Sequence, residues 1–373
     1  MRNFQSLVLC VGAAAVLAAC GGGGSSSGKL TFSSMVNFGD SLSDVGTYKV
    51  GTVAALGGGM YNVNSATAKN WTQVLASQLG VSTPCPYQTG LDGDATKGFK
   101  VPVVNNTACK NYAQGGARVT NPYGPGNKAL GEPHATLGQL TVPLVTQVAN
   151  HLGVSAGSTF SGTELVTVMA GGNDAIIQTG TYTDTVGAAF ATGGAAAAAT
   201  AGPEAATAAV TAMSTAGSEL ATLVKNQIVA KGAKYVVVVN LPNVAQTPYG
   251  ALNEASLPGT KTVIDTMVKA FNSALSSGLA GASNVKLVDA YAASSDQVIN
   301  PATYGLSNVT APACDLTNPA TNPLGSSLVC NTSNVIAGDV SKYMFADQVH
   351  PTPYGYELLA AAVAKAMTSA GWL

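Results

Sequence analysis

The chain has 373 residues, a formal net charge of -1 at pH 7 and only 9% charged residues, and these figures exclude several classes of protein. It is long enough to bury a substantial core, and we prefer one large domain to two modest ones. Because it has neither a basic stripe nor an acidic tail, we expect no nucleic-acid partner and no recognition of a substrate by bulk charge.

The N-terminal residues have the pattern of an export signal. An apolar run from Leu7 to Leu17 is too short to cross a bilayer comfortably, and it predicts a secretory signal peptide over residues 1–19. The end of this run, Leu17-Ala18-Ala19-Cys20, resembles a bacterial lipobox, which implies cleavage before Cys20 and lipid attachment to its sulfur. The alternative is plain secretion with cleavage near the same place.

Residues 20–29 are rich in glycine and serine, and they predict a flexible tether because they have nothing to bury. A single domain over residues 30–373 is expected to follow. With a lipid on Cys20, the protein would be anchored in the bacterial cell envelope, with the outer membrane favoured, and the membrane would be a partner through that anchor. Without the lipid, it would be secreted.

Four cysteines remain once Cys10 leaves with the signal peptide and Cys20 is assigned to the lipid. An even set is expected to pair in an oxidising compartment, although four cysteines allow three pairings. We favour neighbours, because each neighbouring pair brackets a Pro/Asn/Gly-rich loop that lacks apolar anchors. No pair has zinc-ligand spacing and no histidine cluster accompanies them, so we expect neither a metal nor another cofactor. The expected bonds are Cys85–Cys109 and Cys314–Cys330.

Apolar residues recur at strand or helix spacing along the rest of the chain. The first half predicts a strand over residues 31–36, a helix over 66–79, a short strand over 101–105 that Pro102 weakens, an irregular loop over 121–138 and a helix over 140–152. The second half predicts a strand over 165–169, a low-complexity segment over 181–202, a helix from Pro203 to Gly232, a strand over 234–240, a helix over 261–279, a strand over 285–289 and a closing helix over 354–370.

Strands that alternate with helices predict an α/β fold. We expect a three-layer α/β/α sandwich with a doubly wound, mostly parallel sheet of about five strands and right-handed crossovers. The carboxyl ends of the strands form the binding edge of such a sheet. Ser41, Gly116 and Asn173 each follow a different predicted strand, so we expect all three at that edge.

Ser41 lies in a polar turn, Asn37–Asp44, directly after the first predicted strand. At the carboxyl end of a sheet and near a helix N-terminus, backbone N–H groups would point at it, and a nucleophilic serine benefits from such a position. The alternative is an ordinary turn in which Ser41 and Asp40 only cap the next segment. The choice depends on whether a base and an acid accompany the serine.

A serine nucleophile needs a base to take its proton and a carboxylate to orient that base. His134 lies in a Pro/Gly-rich loop, and His151 lies near a helix end, where a solvated or dipole-capping role is expected. His350 differs because Asp347 precedes it by three residues, close enough on a turn to accept from Nδ1–H and leave Nε2 facing Ser41. The alternative is a surface Asp/His pair.

Four sequence blocks follow one another in order. GDSLSD contains Ser41, NYAQGG ends at Gly116, GGND contains Asn173, and DQVHP contains Asp347 and His350. Together they resemble the GDSL or SGNH hydrolase family. This resemblance implies a nucleophilic serine at 41, oxyanion-hole donors at 116 and 173, and a catalytic histidine at 350, with the aspartate at 347 as the orienting acid.

Some neighbouring residues offer alternatives to these assignments. Gly115 is the alternative to Gly116, which we prefer because its offset from Asn111 fits the family block better. Gly153–Gly157 satisfies the G-x-S-x-G pattern of α/β-hydrolases, but a predicted helix precedes Ser155, where that pattern requires a strand. Three aspartates that flank the site are expected to form turns rather than to act on a substrate: Asp40, Asp44 and Asp174.

These residues predict a serine esterase or lipase that acts on a small-molecule or lipid ester. Attack by Ser41 on the ester carbonyl would create an oxyanion, with the N–H groups of Ser41 and Gly116 and the amide of Asn173 as donors. His350 would then protonate the leaving alcohol, and water would hydrolyse the acyl-enzyme. Two alternatives stay open: a carbohydrate acetylesterase of the same fold, and a surface-binding lipoprotein without catalytic activity.

Overall fold

The computed structural model describes residues 30–373. The predicted signal peptide over residues 1–19, the predicted lipid site at Cys20 and the tether over residues 20–29 lie outside the described residues. Within residues 30–373, no helix combines the length and the apolar character needed to cross a membrane.

Strands and helices alternate over most of the described chain. The strands are β1 Met35–Gly39, β2 Gln88–Asp92, β3 Lys100–Asn105, β4 Leu165–Met169, β5 Tyr235–Val239, β6 Val285–Val288, β7 Asn308–Pro312 and β8 Tyr343–Phe345. The α-helices are α1 Gly51–Ala55, α2 Trp71–Leu79, α3 His134–Leu137, α4 Leu144–Val154, α5 Gly172–Leu223, α6 Pro248–Ser256, α7 Thr260–Leu279, α8 Ala290–Ile299 and α9 Pro353–Ser369.

The central sheet is parallel and has the strand order β1-β4-β5-β6. Alternate residues of a strand point to opposite faces of a sheet, so a strand covered on both sides needs an apolar run. In β5, Val236 and Val238 pack with α4, α5 and α7, whereas Val237 and Val239 pack with α2 and α9. Helices therefore cover both faces, and the predicted α/β sandwich is confirmed.

The edge of the sheet beside β1 differs from the prediction, because the segment over residues 101–105 does not join the sheet. This segment forms β3, which pairs with β2 as an antiparallel hairpin, and Val103 and Val104 remain 48% and 52% exposed. The fifth position is taken by a single parallel bridge between Asn37 and Asn111. The sheet thus has four strands and a one-residue extension, where about five strands were predicted.

The Ala/Gly/Thr-rich segment over residues 181–202 is helical, which the sequence pattern did not predict. It belongs to α5, whose backbone breaks at Gly194 with φ of 67°. Alanine has the highest helix propensity, so a run of alanines forms helix even without an apolar stripe to mark it. The second part of α5 accordingly begins before Pro203, where we expected the helix to start.

The register of the sheet brings two polar turns together. Gly39 at the end of β1 pairs with Met169 at the end of β4, so the segments that contain Ser41 and Asn173 leave the sheet side by side. Residues 111–114 run along the other side of β1, where Tyr112 N–H donates to the Asn37 carbonyl at 2.8 Å. This third segment leads directly to Gly116.

Candidate active site

The turn that carries Ser41 is held by hydrogen bonds at both ends. Asp40 accepts from Leu42 N–H through its side chain and from Ser43 N–H through its carbonyl, at 3.0 and 3.1 Å. Before the turn, Gln147 of α4 exchanges two hydrogen bonds with the backbone of Gly39, at 2.9 and 2.8 Å. These contacts fix the point at which Ser41 leaves the sheet.

Asp44 ties this turn to the loop over residues 115–119, here called the glycine loop. One carboxylate oxygen accepts from the N–H groups of Gly46 and Thr47, each at 2.8 Å, and the other accepts from Gly115 N–H at 2.9 Å. Burial raises the pKa of Asp44 to about 6, although these three N–H groups favour the ionised form. Asp44 thus joins two of the four sequence blocks.

Ser41, His350 and Asp347 form a continuous chain of contacts, although the serine and the histidine lie far apart in sequence. Ser41 Oγ is 2.8 Å from His350 Nε2. His350 Nδ1 is 2.9 and 2.8 Å from the two carboxylate oxygens of Asp347. Ser41 is 7% exposed and Asp347 is 5% exposed, so these contacts lie largely out of bulk water.

Backbone groups surround the Asp347 carboxylate. It accepts from the N–H groups of Ser327, Val349 and His350, at 3.1, 3.0 and 2.8 Å. Burial alone would raise its pKa, but the neighbouring His350 and these hydrogen bonds outweigh burial and hold the pKa well below its ordinary value. Asp347 is therefore an ionised group in a buried place.

The structure pairs the cysteines as neighbours. Cys85 bonds Cys109 and Cys314 bonds Cys330, with Cα–Cα distances of 5.1 and 5.9 Å. The second bond closes the loop that contains Ser327, one of the donors to Asp347. A covalent link far from Asp347 in sequence thus restrains a group that contacts its carboxylate.

Tyr61 contacts the histidine but was not among the residues chosen from the sequence. Its ring lies over the His350 imidazole, with centroids 4.6 Å apart and planes tilted by 31°. Its hydroxyl contacts Gln139 Nε2 at 2.6 Å. No motif or spacing marks Tyr61, because its role depends only on tertiary packing.

Asn173 and Asp174, at the start of α5, connect that helix to the glycine loop. Asn173 Nδ2 donates to the Ala117 carbonyl at 2.8 Å. Asp174 accepts from Arg118 Nε at 2.9 Å and from Val119 N–H at 3.1 Å. Burial raises the pKa of Asp174, and the neighbouring Arg118 guanidinium opposes that rise. The loop and the helix start are therefore held as one unit.

Gly116 occupies a position that no other residue type fits. Its φ is 79°, and a Cβ there would lie 2.2 Å from the Pro125 carbonyl oxygen. The Gly115 N–H is already bonded to Asp44, whereas no described residue accepts a hydrogen bond from the Gly116 N–H. The two neighbouring glycines thus differ in whether their amide is free.

A cleft of about 540 Å³ opens over these groups. Ser41, Gly116, Asn173 and His350 all line it. Its lining mixes apolar and polar side chains. The apolar ones include Ile176, Leu241, Pro242, Val244 and Leu324, and the polar ones include Tyr61, His134, Thr136, Gln139 and Ser326.

The other serine and histidine pair lies elsewhere. His151 packs among the rings of Phe38, Tyr112 and Phe160, and burial lowers its pKa to about 4. Ser155 Oγ is 3.2 Å from His151 Nε2, but it donates to the His151 carbonyl at 2.7 Å. Neither residue lines the cleft. The G-x-S-x-G segment therefore ends a helix and does not follow a strand.

The buried carboxyl of Asp40 predicts an unusual dependence of stability on pH. Burial raises its pKa to about 7, because Leu42 N–H and His350 only partly compensate for the lost hydration. Between pH 4 and 7 the folded state keeps a proton that the unfolded state releases. We therefore expect the free energy of unfolding of the wild type to fall by up to roughly 4 kcal/mol as the pH rises from 4 to 7, relative to the change in the Asp40→Asn variant, which lacks this group.

Urea unfolding at pH 4, 5.5 and 7 measures this effect. Asp94→Asn is the control, because the Asp94 side chain is 31% exposed and hydrogen bonds from Thr96 hold its pKa below the ordinary value. This variant should keep the wild-type pH dependence. Equal pH dependence in Asp40→Asn and the wild type would contradict the prediction.

Within residues 30–373, no group of three or more His, Cys, Asp or Glu side chains is arranged to hold a metal ion. A comparison with protein families matches residues 35–363 to the family described as GDSL-like Lipase/Acylhydrolase. The match covers well over half of the chain, from β1 into α9, and includes every residue that lines the cleft. Among curated proteins, none matches the chain.

Proposed function

The chain belongs to the GDSL-like lipase/acylhydrolase family, and on that basis we propose that it hydrolyses carboxylic esters through an acyl-enzyme intermediate on Ser41. The family consists of enzymes that act on esters. The observation that carries the finer proposal is the 2.8 Å contact between Ser41 Oγ and His350 Nε2 at the floor of the cleft.

His350 is proposed as the base and Asp347 as its orienting acid. When Ser41 attacks the ester carbonyl carbon, its proton moves to His350 Nε2 and a tetrahedral oxyanion forms. The ionised Asp347 accepts from Nδ1–H, fixes the tautomer and stabilises the imidazolium. The low pKa of Asp347 supports this role, because the carboxylate then stays charged throughout the step.

Three donors are proposed for the oxyanion: the N–H groups of Ser41 and Gly116 and the side-chain amide of Asn173. Gly116 is favoured over Gly115, whose N–H is bonded to Asp44. Asn173 uses one amide hydrogen on the Ala117 carbonyl, which leaves the second hydrogen for substrate. Donors that the fold holds in position before the charge develops would need no rearrangement during the reaction.

The intermediate collapses when His350 Nε2 gives its proton to the alcohol oxygen and the carbon–oxygen bond breaks. Water then enters, His350 takes a proton from it, and the resulting attack on the acyl carbon releases the acid and restores Ser41. The polar side chains that line the cleft, Gln139 and His134 among them, support an alcohol that forms hydrogen bonds.

A substrate panel combined with active-site labelling tests the proposal. The purified protein is treated with a fluorophosphonate and mapped by mass spectrometry, and it is assayed on p-nitrophenyl esters, phospholipid and acetylated glycans. We expect one label on Ser41 and turnover of simple esters. Acetate release confined to acetylated glycans would favour the carbohydrate acetylesterase instead. If the folded protein shows neither labelling nor turnover, esterase activity is excluded and the non-catalytic binding lipoprotein is the remaining alternative.

Asn173→Ala tests the oxyanion donors. Losing one such donor is expected to lower kcat by about 10²- to 10³-fold with little change in KM, because the interaction strengthens only as charge develops. Steady-state kinetics on the best ester of the panel measures it. Asn226→Ala replaces an exposed asparagine outside the cleft and should keep wild-type kinetics. If Asn173→Ala lowers kcat by less than tenfold, Asn173 is not an oxyanion donor.

A further inference from the structure

A second cavity of about 70 Å³ lies beside the cleft, between the ends of the central strands and two helices. Helix α8 contributes Ala293 and Val298, and helix α9 contributes Leu359 and Ala362. Met169 at the end of β4 closes the inner side. Neither the catalytic contacts nor the oxyanion donors described above involve these residues.

This cavity shares its outer wall with the cleft. Leu42, Pro242, Thr247 and Val349 line both spaces. Leu42 directly follows Ser41 in the chain, and Val349 directly precedes His350. The wall between the two spaces therefore lies next to the two groups that would carry out the reaction.

The lining suits hydrocarbon better than a polar group. Most of the lining side chains are aliphatic, aromatic or proline. Two of the polar ones already use their hydroxyl groups within the protein: Thr247 Oγ1 donates to the Val244 carbonyl at 2.8 Å, and Ser294 Oγ accepts from Asn243 N–H at 2.9 Å. A ligand that needs many hydrogen bonds would lose them on entry.

We propose that this cavity receives the distal part of the substrate's acyl chain, a proposal that rests on the ester hydrolysis proposed above. At about 10–15 Å³ for each water-sized group, the cavity of about 70 Å³ holds about five to seven groups of methylene size. It therefore favours medium-length acyl chains over acetyl groups. Each methylene that enters raises kcat/KM by up to about fourfold, the equivalent of about 0.8 kcal/mol for a buried CH₂.

Ala293→Phe tests the proposal by filling the cavity from α8. The assay compares kcat/KM for acetyl, butyryl, octanoyl and decanoyl p-nitrophenyl esters. We expect the variant to lose at least about tenfold on the octanoyl ester, since several methylenes are excluded, and to keep wild-type turnover of the acetyl ester. Ala292→Phe is the matched control, because the adjacent alanine is exposed and lies outside the cavity, and it should keep the wild-type profile.

A second pair of variants tests the proposal independently in case Ala293→Phe does not fold. Ala362→Leu fills the cavity from α9, and Ala361→Leu is its exposed neighbour. Unimpaired acetyl ester turnover shows that each variant is folded and active. A wild-type profile in both cavity variants overturns the acyl-chain proposal and leaves ester hydrolysis intact. A wild type inactive on every ester overturns the proposed function itself.

Discussion

Ser41→Ala is expected to lower kcat by about 10⁴- to 10⁶-fold and to abolish labelling by a fluorophosphonate. The reason is that, among the described residues, Ser41 is the only serine that lines the cleft and has its Oγ 2.8 Å from a histidine nitrogen. The oxyanion donors remain in this variant, so a small residual rate above water is also expected. Single-turnover kinetics and mass spectrometry of the labelled protein measure the two effects.

Ser155→Ala is the matched control for this experiment. Ser155 also lies beside a histidine, with 3.2 Å between its Oγ and His151 Nε2. It lies outside the cleft, and its hydroxyl is bonded to the helix backbone. Activity and labelling should therefore match the wild type. An inactive Ser155→Ala protein beside a fully active Ser41→Ala protein would reverse the assignment.

The central sheet could be predicted from the sequence because its strands are covered on both faces. A parallel strand in that position must be apolar throughout, and the four valines of β5 satisfy this requirement without any knowledge of the partners. The closing helix α9 could be predicted for a related reason, since its buried residues recur at helical spacing along one face. Local pattern and final environment agree in both elements.

The hairpin of β2 and β3 could not be placed in the same way. An apolar run with a proline is compatible with an edge strand of the main sheet and with a separate hairpin, and local pattern does not distinguish them. The helical part of α5 over residues 181–202 could not be predicted for a different reason. Its alanine-rich part around Gly194 is largely exposed, so it has helix propensity without an apolar stripe.

The residues of the candidate site also differ in whether a local sequence pattern marks them. Asp347 and His350 could be chosen from the sequence because they are three positions apart and one turn brings their side chains together. Ser41 could be placed because it directly follows a strand. Tyr61 and the Ser327 N–H could not, since each reaches the site by tertiary contact alone, without a motif or a spacing that marks it.

Asp347→Asn is expected to lower kcat by about 10⁴-fold while the fold is retained. The carboxylate accepts from three backbone N–H groups and from His350 Nδ1 with two oxygens, whereas an asparagine has one oxygen and a donating amide. If the amide faces the ring, Nδ1 must accept and Nε2 carries the proton. His350 then cannot take the proton of Ser41. Steady-state kinetics with fluorophosphonate labelling measures the loss.

Asp339→Asn provides the control, because Asp339 is exposed and accepts from Ser341 N–H at 2.9 Å in a similar local turn. This variant should keep the wild-type rate. Thermal unfolding of both variants separates catalytic loss from unfolding, and Asp347→Asn should stay folded at the assay temperature.

Because Asp347 is ionised in the folded state well below its ordinary pKa, its contribution to stability is lost as the pH falls below about 4. Asp347→Asn should therefore lose less stability than the wild type between pH 4 and 2. A folded Asp347→Asn protein within tenfold of the wild-type kcat would exclude Asp347 as the orienting acid.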